Sequence, residues 1–331
     1  MLKQFLILTL IFLIPTSFAA TPFGERKDVQ TFIDHMSTQY HFSKKSLTTL
    51  FDQVKPRPQV IMSIKKPLET NPWNIYRHLF ITQTKIDDGV AFWNKYDKAL
   101  TRAQKEYGVP ASLIVATIGI ETNYGTKTGQ YRVIDALSDI AFNYPKRAKY
   151  FQYQLEQFLL LTREKHLNPL DVKGSYAGAI GQPQFMPDSY RKYAVDFSKN
   201  GKIDLSHDEI DVIGSIANYY HEHDWQTGQK IAMPAEVSGD KYQSLIPNDR
   251  HHLYTMKQLN DDGVTLNNPP TKLDNQVMFL ALKTIYGQRY WVGFHNFRVI
   301  MRYNSSPLYA MAVTQLANKI TDEKNHAKTP A

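Results

Sequence analysis

Residues 108–121, Gly-Val-Pro-Ala-Ser-Leu-Ile-Val-Ala-Thr-Ile-Gly-Ile-Glu, constrain this chain more than any other stretch. The run is apolar almost throughout and carries helical spacing, so it belongs inside a folded core. It closes on one carboxylate, Glu121, just before the break Thr122-Asn-Tyr-Gly125. Counted back in helical steps, the face of Glu121 carries Ile118, Thr117 and Ile114, none of them basic. A carboxylate there loses water and gains little in exchange, so its pKa is expected to rise. The plainer reading is a helix-end Glu that reaches solvent.

The chain's 331 residues can bury a large core, with room for smaller flanking or inserted parts. Its start reads as a secretory leader covering residues 1–19. Lys3 supplies the charge, Phe5 to Ile14 the apolar core, and Ser17-Phe-Ala19 the cleavage site. Ten apolar residues are too few to span a bilayer. With no cysteine there is no thiol to lipidate and no disulfide. The expectation is a soluble exported protein beginning near Ala20.

Losing Lys3 and no acid takes the formal charge from +8 to +7. A basic exported protein is drawn to polyanions such as cell-wall polymers and outer lipids. Export, and the dispersal of Lys and Arg along the chain, argue against nucleic acid as a partner.

Along the chain, residues 20–107 read as an N-terminal helical region, with helical spacing in Val29, Phe32, Ile33 and Met36. An extended stretch is expected from Lys55 through Val60-Ile-Met-Ser-Ile64 to Pro67. Residues 108–230 read as the helical core. Residues 231–275, rich in Pro, Asn and Asp, read as a small irregular or β insertion. Residues 276–320 return to helix, as Gln276 to Tyr286, Phe294 to Met301 and Pro307 to Ile320; the polar tail 321–331 should fray. The fold class is mainly α.

Two further segments carry chemistry. Gly174-Ser-Tyr-Ala-Gly-Ala-Ile-Gly-Gln-Pro-Gln-Phe-Met-Pro187 is a tight, turn-rich segment whose main chain can approach a ligand closely, with Ser175 and Gln184 adding side-chain hydrogen bonds. It reads equally as a structural loop. From Asp196, Asp, Ser198 and Asn200 occupy positions one, three and five, Gly201 position six and Lys202, through its carbonyl, position seven of EF-hand logic. His207 stands where a bidentate Glu is expected, and the carboxylate count is low, so a bound ion should be held weakly. The alternative is an Asp/Asn/Gly turn ahead of a helix starting near Asp208. His221 and His223 read as solvated surface, as do His251 and His252.

Ile120-Glu-Thr-Asn-Tyr-Gly125 and the 174–187 segment together resemble the lytic murein transglycosylase B family. Phe142-Asn-Tyr-Pro-Lys-Arg-Ala148, Gly214-Ser-Ile-Ala-Asn-Tyr-Tyr220 and Arg302-Tyr-Asn304 support the resemblance, which spans roughly residues 25 to 320. It implies a lysozyme-like helical core cleaving the β-1,4 bond between N-acetylmuramic acid and N-acetylglucosamine of peptidoglycan. It also implies Glu121 as catalytic acid/base, with Ser175, Gln184, Tyr219, Asn304, Tyr309 and Arg147 lining the cleft. The family's lengthened ion loop would be closed by Asp211, holding structural Ca2+ or a monovalent ion. No cofactor is implied for catalysis, and wall-synthesis or remodelling proteins are candidate partners; without the Cys of lipid-anchored relatives, the form expected is a soluble periplasmic monomer with no stable membrane anchor. Thr122-Asn123-Tyr124 depart from relatives that often carry Arg and Trp there. One carboxylate suffices if the muramic C6 hydroxyl attacks, whereas hydrolases usually need two. The next acid is Asp135, and none lies in 174–187. A water-using muramidase and a non-catalytic wall-binding protein remain the alternatives.

Overall fold

The computed structural model describes residues 21–57, 60–62, 68–246, 252–270 and 274–326. The leader, His251 and residues 327–331 lie outside these.

The chain divides after Lys55. The first unit holds a short 3-10 turn (Phe23–Glu25), α1 (Lys27–Tyr40) and α2 (Lys44–Asp52). Val29, Phe32, Ile33 and Met36 of α1 are all buried, as their spacing requires. Phe51 of α2 meets Phe32 edge-on at 5.9 Å and stacks on Phe23 at 6.5 Å. The Ser43 hydroxyl caps α2 by accepting the Ser46 N–H.

The second unit starts with α3 (Trp73–Phe80), α4 (Gln83–Lys95) and α5 (Asp97–Tyr107). Then come α6 (Ala111–Thr122), β1 (Tyr131–Arg132), α7 (Val133–Asn143) and α8 (Ala148–Glu164). β2 (Lys173–Gly174) pairs antiparallel with β1, and α9 (Pro187–Tyr193) and α10 (Glu209–Glu222) follow. The axis of this unit is α6, on which only Ser112 and Glu121 are not buried. It is enclosed by α4, α5, α10 and the last helix, α13 (Pro307–His326). A helix with no polar face must be wrapped in this way.

A four-stranded antiparallel sheet, in order β4-β3-β6-β5, is inserted between α10 and α12 (His295–Tyr303). It comprises β3 (Ala232–Val237), β4 (Val264–Leu266), β5 (Met278–Thr284) and β6 (Gly287–Gly293), with α11 (Met256–Asp261) preceding β4. Leu259, Val264, Val277, Phe279, Val292 and Phe294 form its core.

Four boundaries differ from the sequence reading. Gln276 to Tyr286 is not helix: it is β5, in register with β6 from Met278↔Gly293 to Thr284↔Gly287. Val277 to Leu282 is uniformly apolar, so periodicity could not separate a buried strand from a helix. The β insertion therefore runs to Gly293, not to residue 275. Residues 60–62 are helical rather than extended, while 63–67 lie outside the described residues. The N-terminal helical region 20–107 is split by the division after Lys55. Residues 321–326 belong to α13 instead of fraying, because Ile320 and Lys324 are buried on its inner face.

Candidate active site

Glu121 stands half-buried in the last turn of α6. α13 runs along α6 and brings Tyr309 to it from far along the sequence; the Tyr309 hydroxyl donates to Glu121 Oε1 at 2.5 Å. Burial, and then the negative charge of Glu121, hold the Tyr309 phenol well above its ordinary value. The same two causes act in the same order on Tyr303, whose ring stacks on that of Tyr309 at 6.3 Å. Tyr220 is also raised, first by burial; its hydroxyl shares a 2.9 Å hydrogen bond with Thr117, one turn before Glu121. All three phenols are held neutral; of them Tyr309 donates to the carboxylate and Tyr303 to Pro183 O.

The end of α6 is held by a clasp that the sequence did not reveal. Asn123 and Tyr124 both adopt left-handed backbone (φ 51° and 56°), which costs a non-glycine residue roughly 1 kcal/mol each. Lys85 of α4 offsets that strain. Its ammonium donates to Gly119 O at 2.7 Å and to Asn123 Oδ1 at 2.8 Å, satisfying a carbonyl of the helix end. In return the Tyr124 hydroxyl donates to Lys85 O at 2.7 Å. The Tyr124 ring fits only because Gly89 and Gly119 lack side chains: a Cβ on either would lie 2.6 Å from its hydroxyl oxygen. Burial, helped by Lys127 and opposed by Asp88, pulls the Lys85 pKa below the usual lysine value.

The glycine-rich segment is fastened to the same helix end. Thr122 Oγ1 donates to Gln182 O at 3.0 Å, and the Tyr303 hydroxyl donates to Pro183 O at 2.5 Å. Ser175 Oγ accepts the N–H groups of Ala177 and Ala179, so it shapes the turn and keeps its own proton to donate. Gln184, at φ 51°, commits its amide nitrogen to Thr128 O and Gly181 O, which turns its carbonyl oxygen into the acceptor left for a ligand. Tyr219 is buried; its hydroxyl donates to Arg302 O at 2.7 Å, and its ring packs on Tyr303 at 4.7 Å. Asn304 Oδ1 accepts the Ser306 N–H just before α13. Arg147 is exposed, with its guanidinium 5.1 Å from the ring centres of Tyr150 and Phe151.

Glu121, Tyr309, Tyr219, Asn304, Ser175 and Gln184 therefore lie on elements fastened to one another, whereas Arg147 stands apart at the start of α8. Sequence reasoning passed over Lys85, Gln182, Tyr220 and Tyr303. Tyr303 was within reach, since Arg302-Tyr-Asn304 had been singled out. Tyr220 was equally within reach, in Gly214-Ser-Ile-Ala-Asn-Tyr-Tyr220; Lys85 gave no local signal. His223, expected at the solvated surface, instead stacks on Tyr219 at 4.2 Å and meets its carbonyl through Nδ1 at 2.7 Å. His221 is exposed, as expected.

Two other buried acids, Asp135 and Asp139, are tied up structurally. Asp135 takes both prongs of Arg132 at 2.7 and 2.8 Å; Asp139 accepts from Arg57 N and Asn143.

In the 196–211 loop the polar side chains turn back onto the loop's own main chain. Burial works against the charge of Asp196, but the N–H groups of Gly201, Asn200 and Lys199 outweigh it and hold the carboxyl below its usual pKa. Asn200 Oδ1 accepts the Lys202 N–H, and Ser198 Oγ lies 3.5 Å from Asp196. Asp211 is buried with one oxygen on Ser198 N and the other on Asp204 N, so it straps the loop from α10. Asp208 caps α10. The donor set is all oxygen, which suits a hard cation, but among the described residues no three or more His, Cys, Asp or Glu converge so as to hold a metal ion. The residues fit a weak oxygen-ligated ion.

The sequence pattern of the family described as Transglycosylase SLT domain matches residues 24–318. The chain is 42% identical over 310 residues to the membrane-bound lytic murein transglycosylase B of Escherichia coli K12, covering 90% of this chain and 84% of that protein. The crystal structure of the soluble lytic transglycosylase SltB1 from Pseudomonas aeruginosa superposes with a TM-score of 0.84 at 42% identity, over 90% of this chain and 99% of that one. The Escherichia coli lytic transglycosylase Slt35, solved in complex with calcium, gives 0.83 at 41% identity, over 91% and 95%.

Proposed function

The chain belongs to the transglycosylase SLT domain family, and from that premise we propose how its residues divide the reaction. It is a peptidoglycan lytic transglycosylase with a lysozyme-like, mainly helical core. It cleaves the MurNAc-β-1,4-GlcNAc bond and leaves 1,6-anhydro-MurNAc ends, which makes it a lyase.

Glu121 is the acid and then the base in this reading. Its proton goes to the glycosidic oxygen as the bond from muramic C1 breaks and an oxocarbenium-like centre develops. The carboxylate then takes the proton of the muramic C6 hydroxyl, whose oxygen bonds to C1 and closes the anhydro ring. No water is consumed and Glu121 returns to its starting state. The observation that carries this reading is the Tyr309 hydroxyl on Glu121 Oε1, at the one carboxylate of the buried helix. Tyr309 orients the carboxylate and stabilises it in its charged stage. Ser175 and Gln184 offer a donor and an acceptor to the sugar, Tyr219 and Asn304 complete the cleft wall, and Arg147 meets an anionic group of the stem. That Asp135 and Asp139 are already engaged by protein partners supports a one-carboxylate mechanism over a two-carboxylate hydrolase.

The remaining assignments are ours as well. Residues 1–19 are a signal peptide, the protein acts in the periplasm as a monomer, and residues 232–293 form an accessory β unit. Asp196, Ser198, Asn200 and the Lys202 carbonyl hold a structural Ca2+ or monovalent ion that Asp211 helps to frame; the ion would stiffen the loop and take no part in bond cleavage.

The deciding experiment digests purified sacculi and weighs the released muropeptides. Wild type should give products one water lighter than reducing ends, and Glu121→Gln should fold, bind glycan and release them about a hundred- to ten-thousand-fold more slowly. Reducing muramic ends would make it a hydrolase. Wild-type turnover in the variant would remove Glu121 from its role.

A further inference from the structure

The tip of the β5–β6 hairpin holds two large apolar side chains in water: Ile285 is 71% exposed and Tyr286 84%. The turn does not ask for them. Only Gly287, at φ 99°, needs a left-handed backbone, and Thr284 fixes the loop by accepting the Tyr286 N–H at 3.2 Å and donating to Gly287 O at 2.8 Å. Polar residues would close the same turn, so Ile285 and Tyr286 are presented rather than packed.

A second exposed apolar pair lies on the helix that packs against β5. Ile75 and Leu79 of α3, 48% and 49% exposed, are one helical turn apart, beside the face that buries Trp73 and Tyr76.

Charge says what covers these groups. The chain has no Asp or Glu between Asp274 and Asp322, yet carries Lys283, Arg289, Arg298, Arg302 and Lys319 there. None occurs between Glu69 and Asp87 either, a stretch that holds Arg77 and Lys85. Lys283 and Arg289 are exposed and flank the tip: Lys283 pairs with Gln288, and Arg289 with Leu282.

We propose that the β5–β6 tip, with the outer stripe of α3, docks reversibly on an anionic lipid surface. Tyr286 suits the headgroup level, Ile285 gains only where hydrocarbon is within reach, and Lys283 and Arg289 meet lipid phosphates. A hydrated wall polymer would satisfy the cations and leave Ile285 without a reason. Four exposed apolar side chains and two cations make a weak, salt-sensitive attachment, so the protein would visit the membrane face and not be anchored there.

The test is co-sedimentation with phosphatidylglycerol/phosphatidylethanolamine vesicles, using the chain from Ala20, which keeps every described residue and lacks the apolar leader. Wild type should sediment with these vesicles, be released by salt, and ignore phosphatidylcholine vesicles. Ile285→Ser/Tyr286→Ser should lower the partition about tenfold or more, and Lys283→Ser/Arg289→Ser should remove the salt-sensitive part. Both variants should still release muropeptides from detergent-washed sacculi at the wild-type rate, which shows that they fold. Absence of wild-type binding, or equal binding by the Ser variants, would overturn the proposal. So would a tip-dependent loss of sacculus binding, or of self-association, without vesicle binding; these would give the tip to a wall polymer or to a second copy.

Discussion

Glu121 and Tyr309 exchange one hydrogen bond whose value to the reaction can be bounded. A bond to a charged partner contributes about 1.5–3 kcal/mol, so Tyr309→Phe should lower kcat roughly ten- to hundredfold. The loss should fall on kcat more than on KM, because the bond stabilises the charged stage of Glu121 rather than the sugar. Steady-state kinetics on a soluble glycan strand checks this, and an unchanged kcat would mean that Tyr309 only packs. Glu121 was legible from its position closing an apolar run. Lys85 was not: it sits among polar residues of α4, and nothing in its neighbourhood says that its ammonium ends on Gly119 O and Asn123 Oδ1.

Two elements carry opposed expectations that magnitudes resolve. Gly119 lies inside α6, where helix propensity alone would have Gly119→Ala stabilise by about 1 kcal/mol. Its Cβ, however, would stand 2.6–3.0 Å from three atoms of the Tyr124 side chain. Overpacking of that kind costs about 1–3 kcal/mol, so the net effect should be destabilising, and the displaced Tyr124 should slow catalysis as well. Chemical denaturation with a parallel activity assay reads both, and a stabilised, fully active variant would contradict the clasp. In the 196–211 loop, about millimolar Ca2+ should raise the melting temperature of wild type and leave Asp196→Ala unmoved. A wild type indifferent to calcium would leave the loop as a plain turn strapped by Asp211. The loop could be singled out because its candidate oxygen donors come from one short segment. β5 was misread because a short, uniformly apolar run has no period to measure, and its strand character came from pairing with β6.

Across the whole molecule, an unusual share of buried phenol sets the alkaline limit of stability. Tyr124, Tyr219, Tyr220, Tyr303 and Tyr309 are all pushed up, in each case first by burial. An unfolded phenol loses its proton near pH 10, while these keep theirs, so above about pH 10 the unfolded state binds fewer protons than the folded one. Their contribution is therefore complete below that pH and is lost as pH rises towards the folded values. Tyrosinate absorbance from this group should appear together with loss of circular dichroism, and ionisation without unfolding would refute it. By itself the sequence determined the helical class, the buried α6 and its terminal acid, and the glycine-rich and ion-loop segments, because each is written in contiguous residues whose spacing carries the physics. Only the tertiary structure decided that Tyr309 meets Glu121, that Lys85 and Tyr124 lock the helix end, and that Ile285 and Tyr286 stand in water. Those facts depend on which distant surfaces meet, and local spacing does not encode that.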